Sequence, residues 1–284
     1  MTPFSINING KLVFFERPAV MAILNVTTDS FHEPSRAFTQ REIEDRAAVA
    51  IEEGADIIDI GAFSTRPGCK FISQEEEILR LDRAISTIRK NHPEFLISVD
   101  TFRAEVARIA VKELGANIIN DVSGGNFDDN MFTTVAELET PYILSHCRGN
   151  IESFHQPTTY KNVVADVMKE LSDKVRRLCL AGAKDIIIDP GIGFSKSLEQ
   201  NYQLLKNLRC LKVFERPILI GVSRKSLLHK LLDTSPEDTL QATSALNALC
   251  LEQGAAILRV HDVKAAKQCV KIFETLQSPT THKE

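Results

Sequence analysis

Short runs of β-branched residues alternate along this chain with segments whose apolar residues recur at three- and four-residue spacing. The first kind of run packs well on a pleated sheet, and the second places one apolar stripe on a helix. Strands are expected at Val20–Val26, Asp56–Ile60, Leu96–Asp100, Asn117–Asp121, Tyr142–His146, Asp185–Asp189, Ile218–Val222 and Ala256–His261. Helices are expected between them at Glu42–Glu53, Glu75–Lys90, Arg103–Leu114, Val163–Ala181, Tyr202–Leu211, Leu240–Gln253 and Ala265–Leu276. Four passages from helix to strand share a Gly-Ala pair, at Gly54, Gly115, Gly182 and Gly254; glycine just past a helix is the usual left-handed cap. Strand and helix alternating eightfold imply parallel strands with crossover helices, so an α/β fold of the (β/α)8 TIM-barrel type is expected. A doubly wound open sheet is the alternative, although no G-x-G-x-x-G run supports a dinucleotide version of it. Residues 4–15 form two extended runs around Asn9-Gly10, a hairpin signature. That hairpin is expected to plug the bottom of the barrel. The chain then divides as one domain over 1–284, with the hairpin in 1–17, the barrel in 18–276 and a tail in 277–284.

Composition narrows the partners. A 284-residue chain with a net charge of −4 carries no broad basic face for nucleic acid. No apolar run reaches the roughly 18 residues of a membrane span, and the N-terminus lacks the layout of a secretory signal. A cytoplasmic protein with neither nucleic-acid nor membrane partners is expected. The six cysteines are scattered without a C-x-x-C pair, so they read as reduced thiols and not as a zinc or redox motif.

In such a barrel the active site lies where the strands end. Those ends carry Asn25 and Thr27, Asp59, Asp100, Asn120 and Asp121, His146, Asp189, Ser223 to Ser226, and Arg259, His261 and Asp262. Any one of them could merely cap a helix; together they converge on one pocket. The stretch Ile186 to Phe194, I-I-I-D-P-G-I-G-F, sets a carboxylate at the end of a buried strand beneath a glycine-bearing loop. Such a carboxylate can accept hydrogen bonds from paired N–H donors. Two loops suit anions: Ser64-Thr65-Arg66-Pro67-Gly68, with hydroxyls and a guanidinium, and Ser223-Arg224-Lys225-Ser226, where a helix begins. The matching ligand is a polar heterocycle bearing phosphate, meeting a second substrate with an acidic tail. A divalent metal held by His146, His261 and the aspartates is conceivable, but no ligand spacing singles it out.

Taken together, Ile23-Leu24-Asn25-Val26-Thr27 with Asp29-Ser30-Phe31, Ser64-Thr65-Arg66-Pro67-Gly68, Ser98-Val99-Asp100-Thr101, Ile119-Asn120-Asp121, Asp189-Pro190-Gly191, Ser223-Arg224-Lys225-Ser226 and Arg259-Val260-His261-Asp262 resemble the dihydropteroate synthase family, in that family's order. The resemblance implies condensation of 6-hydroxymethyl-7,8-dihydropterin diphosphate with p-aminobenzoate to 7,8-dihydropteroate and pyrophosphate, assisted by Mg²⁺, in a homodimer. Carried over by position, it puts the pterin on Asp100, Asn120, Asp189, Lys225 and Arg259, with Asp59 near the reacting side. It puts the diphosphate on Asn25, Thr65, Arg66, Arg259 and His261, with Asn25 also reaching the metal. The p-aminobenzoate falls among Thr65, Arg66, Pro67, Phe194, Lys225 and Ser226. Asp100, Lys225 and Asp59 are the implied catalytic groups, in an S_N1-like displacement. The later outer helices, with Leu246, Leu249 and Cys250, are the expected dimer surface unless these residues face the barrel. Departures from the family pattern include His32-Glu33-Pro34-Ser35-Arg36, Ala62-Phe63, and Ile192 and Ser195, where Phe and Gly are frequent. With no appended pyrophosphokinase segment, one activity is expected. The rival readings are a pterin-dependent methyltransferase and a catalytically silent pterin-binding barrel.

Overall fold

The computed structural model describes residues 3–27, 39–63 and 72–277. The hairpin comes first, with β1 (Phe4–Ile8) antiparallel to β2 (Lys11–Phe15) and Phe4 opposite Phe15. Its turn uses Asn9 at φ 50° and Gly10 at φ 83°, the two consecutive left-handed residues that a primed turn requires.

Eight parallel strands follow: β3 (Ala19–Asn25), β4 (Ile57–Gly61), β5 (Leu96–Asp100), β6 (Ile118–Asp121), β7 (Tyr142–Ser145), β8 (Ile186–Asp189), β9 (Leu219–Ile220) and β10 (Ile257–Val260). The hydrogen-bonded order is β8-β7-β6-β5-β4-β3-β10-β9. The ends meet where Ile188 bridges Ile218 and its N–H donates to Pro217 O at 2.8 Å. The sheet therefore closes as the expected barrel, and its narrowest seam is the two-residue β9.

Alternation along the strands sorts side chains into two cores. Val20, Ile58, Ile97, Ile119, Leu144, Ile186, Ile188 and Leu258 point outward and pack under the helices. Met21, Ile57, Ile118, Ile143, Ile187, Leu219 and Ile257 point inward and form one cluster with Ile6, Ile8 and Phe15 of the hairpin. Phe4 stacks on Phe15 with ring centroids 4.7 Å apart. The hairpin thus seals the lower end, as expected.

The helices are α1 (Gln40–Glu52), α2 (Gln74–Asn91), α3 (Ala104–Lys112), α4 (Met131–Glu137), α5 (Val163–Ala181), α6 (Leu198–Lys206), α7 (Ser226–Leu232), α8 (Leu240–Gln253) and α9 (Val263–Gln277). One of them, α4, is absent from the expected helices, because seven residues give too few turns for a periodic stripe; α7 is equally short but begins at Ser226, where a helix start is expected after the seventh barrel strand. The helix expected over Tyr202–Leu211 begins earlier, where Ser197 and Gln200 form a capping box, and stops at Asn207. A 3₁₀ segment, Leu208–Phe214, continues from there. Gly182 and Gly254 are left-handed caps at φ 102° and 107°. Gly54 and Gly115 are also left-handed but lie beyond the caps Glu53 and Glu113. On α8, Leu249 is exposed, Leu246 is half-buried against the core and Cys250 is buried, so of the three only Leu249 presents an open apolar surface.

Candidate active site

Above the sealed apolar layer, the inward positions turn polar. The register aligns Asn25 with Gly61, Gly61 with Asp100 and Asp100 with Asn120, so four neighbouring strands end at one level. Gly61 is the small member of that row. A Cβ there would lie 3.0 Å from Asn25 Oδ1, so the bare glycine keeps the amide oxygen approachable.

Two hydrogen-bonded groups make the floor and walls. In the first, Arg259 Nε donates to Asp59 Oδ2 at 2.6 Å, and its Nη2 donates to Asp100 Oδ2 at 2.8 Å. Asn120 Nδ2 also donates to Asp59 Oδ2, at 2.9 Å. Asp59 is fully buried and sits two residues earlier on its strand than Gly61. It therefore lies a level deeper than Asp100 and orients Asn120 and Arg259 from below. Its second oxygen accepts nothing from the described residues. A buried acceptor of that kind calls for an N–H or water partner.

In the second group, Ser145 Oγ and the Gly191 N–H donate to Asp189, at 3.0 and 2.8 Å. Lys225 Nζ donates to Ile192 O and lies 4.5 Å from the centroid of the Phe194 ring. Gly221 separates the two groups: a Cβ there would stand 3.8 Å from both Arg259 and Lys225. The arrangement offers two carboxylates and an amide beside two cations, in a cup of small residues.

Burial dominates the electrostatics. It pushes the Asp100 carboxyl up to about 7, with Arg259 opposing the rise and Asp59 adding to it. It pulls the Lys225 ammonium down to about 8 against the attraction of Asp189. Both groups are thereby poised to change charge near neutrality.

The remaining strand-end candidates separate. His261 takes a hydrogen bond with Ser223 Oγ at 3.1 Å. Ser226 is exposed at the first turn of α7. Arg224, by contrast, is bound by Asp262 at 2.6 Å, so within the Ser223-Arg224-Lys225-Ser226 run it is Lys225 that faces the cup. Asp121 faces the outer core, where it accepts from Tyr142 Oη at 2.7 Å and from the N–H groups of Ser123 and Gly125. His146 is also behind the barrel wall, 2.9 Å from Glu170. Cys147 is buried, its thiol pushed up to about 11 by that burial. Ser64, Thr65, Arg66, Pro67 and Gly68 lie outside the described residues, as do Asp29, Ser30 and Phe31.

Sequence reasoning missed a row of aromatic rings across the mouth. Phe63 packs edge-on against Phe102, Phe102 against Phe127 and Phe127 against Phe154, at centroid distances of 5.2, 5.6 and 5.5 Å. Phe154 then stacks with Phe194 at 5.7 Å. Each ring comes from the loop after a different strand, β4 through β8, so the recurrence of a Phe a few residues past each strand was the available signal. An ion pair was missed as well: the half-buried Arg103 bonds to the buried Glu77, donates to Ile72 O at 2.9 Å and packs near Phe63. It thereby holds residues on both sides of 64–71.

The sequence pattern described as pterin binding enzyme matches residues 21–261. A protein named dihydropteroate synthase from Streptococcus pyogenes serotype M6 is 41% identical over 94% of this chain and 98% of its own. The chain belongs to the dihydropteroate synthase family of pterin-binding enzymes.

Solved members of the family share the whole architecture. The Xanthomonas albilineans dihydropteroate synthase with 4-aminobenzoic acid superposes with a TM-score of 0.89 at 35% identity, covering 98% of this chain and 100% of that one. The Coxiella burnetii dihydropteroate synthase in complex with pteroic acid gives 0.86 at 36% identity, covering 97% and 99%. Against the methyltransferase alternative, these relatives carry the synthase name over nearly their full length.

Proposed function

We propose that this protein condenses 6-hydroxymethyl-7,8-dihydropterin diphosphate with p-aminobenzoate, releasing pyrophosphate and 7,8-dihydropteroate. The observation that carries this reading is the cup in which Asp100, Asn120 and Asp189 set acceptors beside the donors Lys225 and Arg259. Asp189, held by Ser145 and Gly191, keeps lone pairs for the amino and N–H donors of the pterin. Asn120 meets a mixed donor and acceptor edge, and Lys225 donates to the ring carbonyl. Asp59 is a positioning residue beneath them.

Arg259, His261, Asn25, Thr65 and Arg66 take the diphosphate. Asn25 suits Mg²⁺ brought in with that group, because the ion favours substrate phosphates, water and few protein oxygens, and Gly61 leaves the Asn25 amide oxygen uncovered. Bound there, the ion would supply charge neutralisation to the departing diphosphate. Among the described residues, no group of three or more His, Cys, Asp or Glu side chains could hold a metal unaided.

As the C–O bond to the diphosphate breaks, the ring nitrogens delocalise the positive charge and the Asp100 carboxylate faces it. A dissociative displacement follows, in which the amine nitrogen forms the new C–N bond and loses a proton. The aromatic amine is a weak nucleophile, so positioning carries this step more than a base does. Phe194, Pro67 and Lys225 hold the amine ring, with its carboxylate at Ser226. We further propose a single-domain cytoplasmic enzyme that pairs as a homodimer through the later outer helices, a reading supported by the exposed Leu231, Leu232 and Leu249.

Incubating the purified protein with the pterin diphosphate, p-aminobenzoate and Mg²⁺ tests the function. Equal amounts of pyrophosphate and dihydropteroate are expected, and no product at saturating substrates would overturn the reading. Pyrophosphate released in a single turnover without the amine supports the dissociative route; strict dependence on the amine opposes it.

A further inference from the structure

The loop from Asp189 to α6 is held from both sides by lysines. From the mouth, Lys225 reaches Ile192 O and the Phe194 ring. From behind, the buried Lys196 ammonium donates to Gly191 O at 2.8 Å, Phe194 O at 3.0 Å and His146 O at 3.3 Å. A fourth neighbour is His146 Nδ1, at 3.1 Å. With Nε2 of that ring donating to Glu170 Oε2 at 2.9 Å, Nδ1 keeps its lone pair and accepts. All four of these neighbours can accept, against three N–H donors on an ammonium, so one of the bonds is shared, and burial pulls the ammonium down to about 7.

A second tie runs through Ser195, where the family pattern often has Gly. Ser195 is fully buried at φ 50°, a left-handed conformation that L residues avoid. Its hydroxyl accepts from the Arg148 N–H at 2.9 Å and meets Tyr160 Oη at 3.3 Å. Arg148 in turn binds Glu170, the carboxylate that anchors His146. Gly191 cannot yield in this arrangement, because a Cβ there would stand 1.8 Å from His146 O.

We propose that Lys196 is a positioning residue for the amine half of the reaction: by gathering the carbonyls of His146, Gly191 and Phe194 on one ammonium, it fixes the Phe194 ring against Lys225 and shapes the wall on which the aromatic amine packs. The inference rests on reading Phe194 as that wall. The pterin side is less exposed to it, because Asp189 ends a strand and is also held by Ser145.

Steady-state kinetics and calorimetry on the intact protein separate the two halves. Lys196→Met removes the donors at nearly constant length. The expected result is a roughly tenfold or greater rise in KM for p-aminobenzoate, with affinity for the pterin diphosphate changed less than about threefold. An unchanged amine KM, or an equal loss for both substrates, overturns the proposal. Ser195→Gly and Ser195→Ala form a second arm that stands even if Lys196→Met does not fold. Both lose the hydroxyl tie, but only glycine suits the left-handed turn, so amine KM rises in both and more in Ser195→Ala. A flat amine KM in both overturns the proposal. Wild-type protein that forms no product would instead remove the reading beneath it, whereas an active wild type beside an unaffected Lys196→Met would remove Lys196 alone.

Discussion

Ile187 and Asp189 lie two residues apart on β8, point into the same barrel and do opposite work. Ile187 is fully buried in the apolar cluster sealed by the hairpin. Asp189 is at the mouth, hydrogen-bonded to Ser145 and Gly191. The change recurs on β10 from Ile257 to Arg259, and on β5 from Leu96 through Ser98 to Asp100. One residue pair along a strand thus separates the apolar layer sealed by the hairpin from the polar layer to which the proposed function assigns the ligand. The halves can be altered separately, except where a buried charge joins them, as Arg259 joins Asp59 and Asp100.

The sharpest way to break the comparison is from below. Ile187→Ala should cost about 2–5 kcal/mol of stability through the cavity it leaves, while the folded fraction keeps the affinity of wild type for the pterin diphosphate. Denaturant unfolding with calorimetry on the same sample checks both, and a weakened ligand at unchanged stability would erase the division between layers.

A smaller effect is expected from pH at the mouth. Burial holds Asp100 up to about 7, whereas an unfolded aspartate titrates near 3.8. On the proposed mechanism the Asp100 carboxylate facing the developing cation is lost as pH falls through about 7, and kcat/KM for the pterin diphosphate is expected to drop roughly tenfold per pH unit below that point. The stability sign is the reverse. The folded state holds this proton through the window in which the unfolded chain releases it, so this group favours folding most at low pH and less as pH rises from about 4 to 7. Because Arg259 opposes the rise at Asp100, Arg259→Met should move the acid limb of the rate profile to higher pH; an unmoved limb would separate Asp100 from that ion pair. The smallest expected change is at the rim. Ser226→Ala should raise the amine KM about threefold, the loss of one exposed hydrogen bond, and leave pterin affinity unaltered.

Much of this was legible in the sequence because strand ends are chemically abrupt. The three isoleucines before Asp189 announce a buried strand, and the carboxylate after them announces its mouth. Asn9-Gly10 announced the hairpin for a similar local reason: only residues tolerant of positive φ make that turn. What alternation alone cannot decide is which of two adjacent polar residues faces inward. Asn120 and Asp121 look alike in the chain, yet register sends the first to the mouth and the second to Tyr142. The depth of Asp59 was hidden likewise, since it depends on how β4 pairs with β5. Lys196 and Arg103 act through carbonyls brought near by folding, and no spacing in the sequence encodes such contacts.

The most direct measurement is a calorimetric titration of the pterin diphosphate into Asp189→Ala beside wild type, with thermal melts of both. The expected result is a fall in affinity of roughly a hundredfold or more, because hydrogen bonds to a charged group contribute about 1.5–3 kcal/mol each, with little change in melting temperature. Unchanged affinity in Asp189→Ala would contradict the assignment of the upper layer to the pterin.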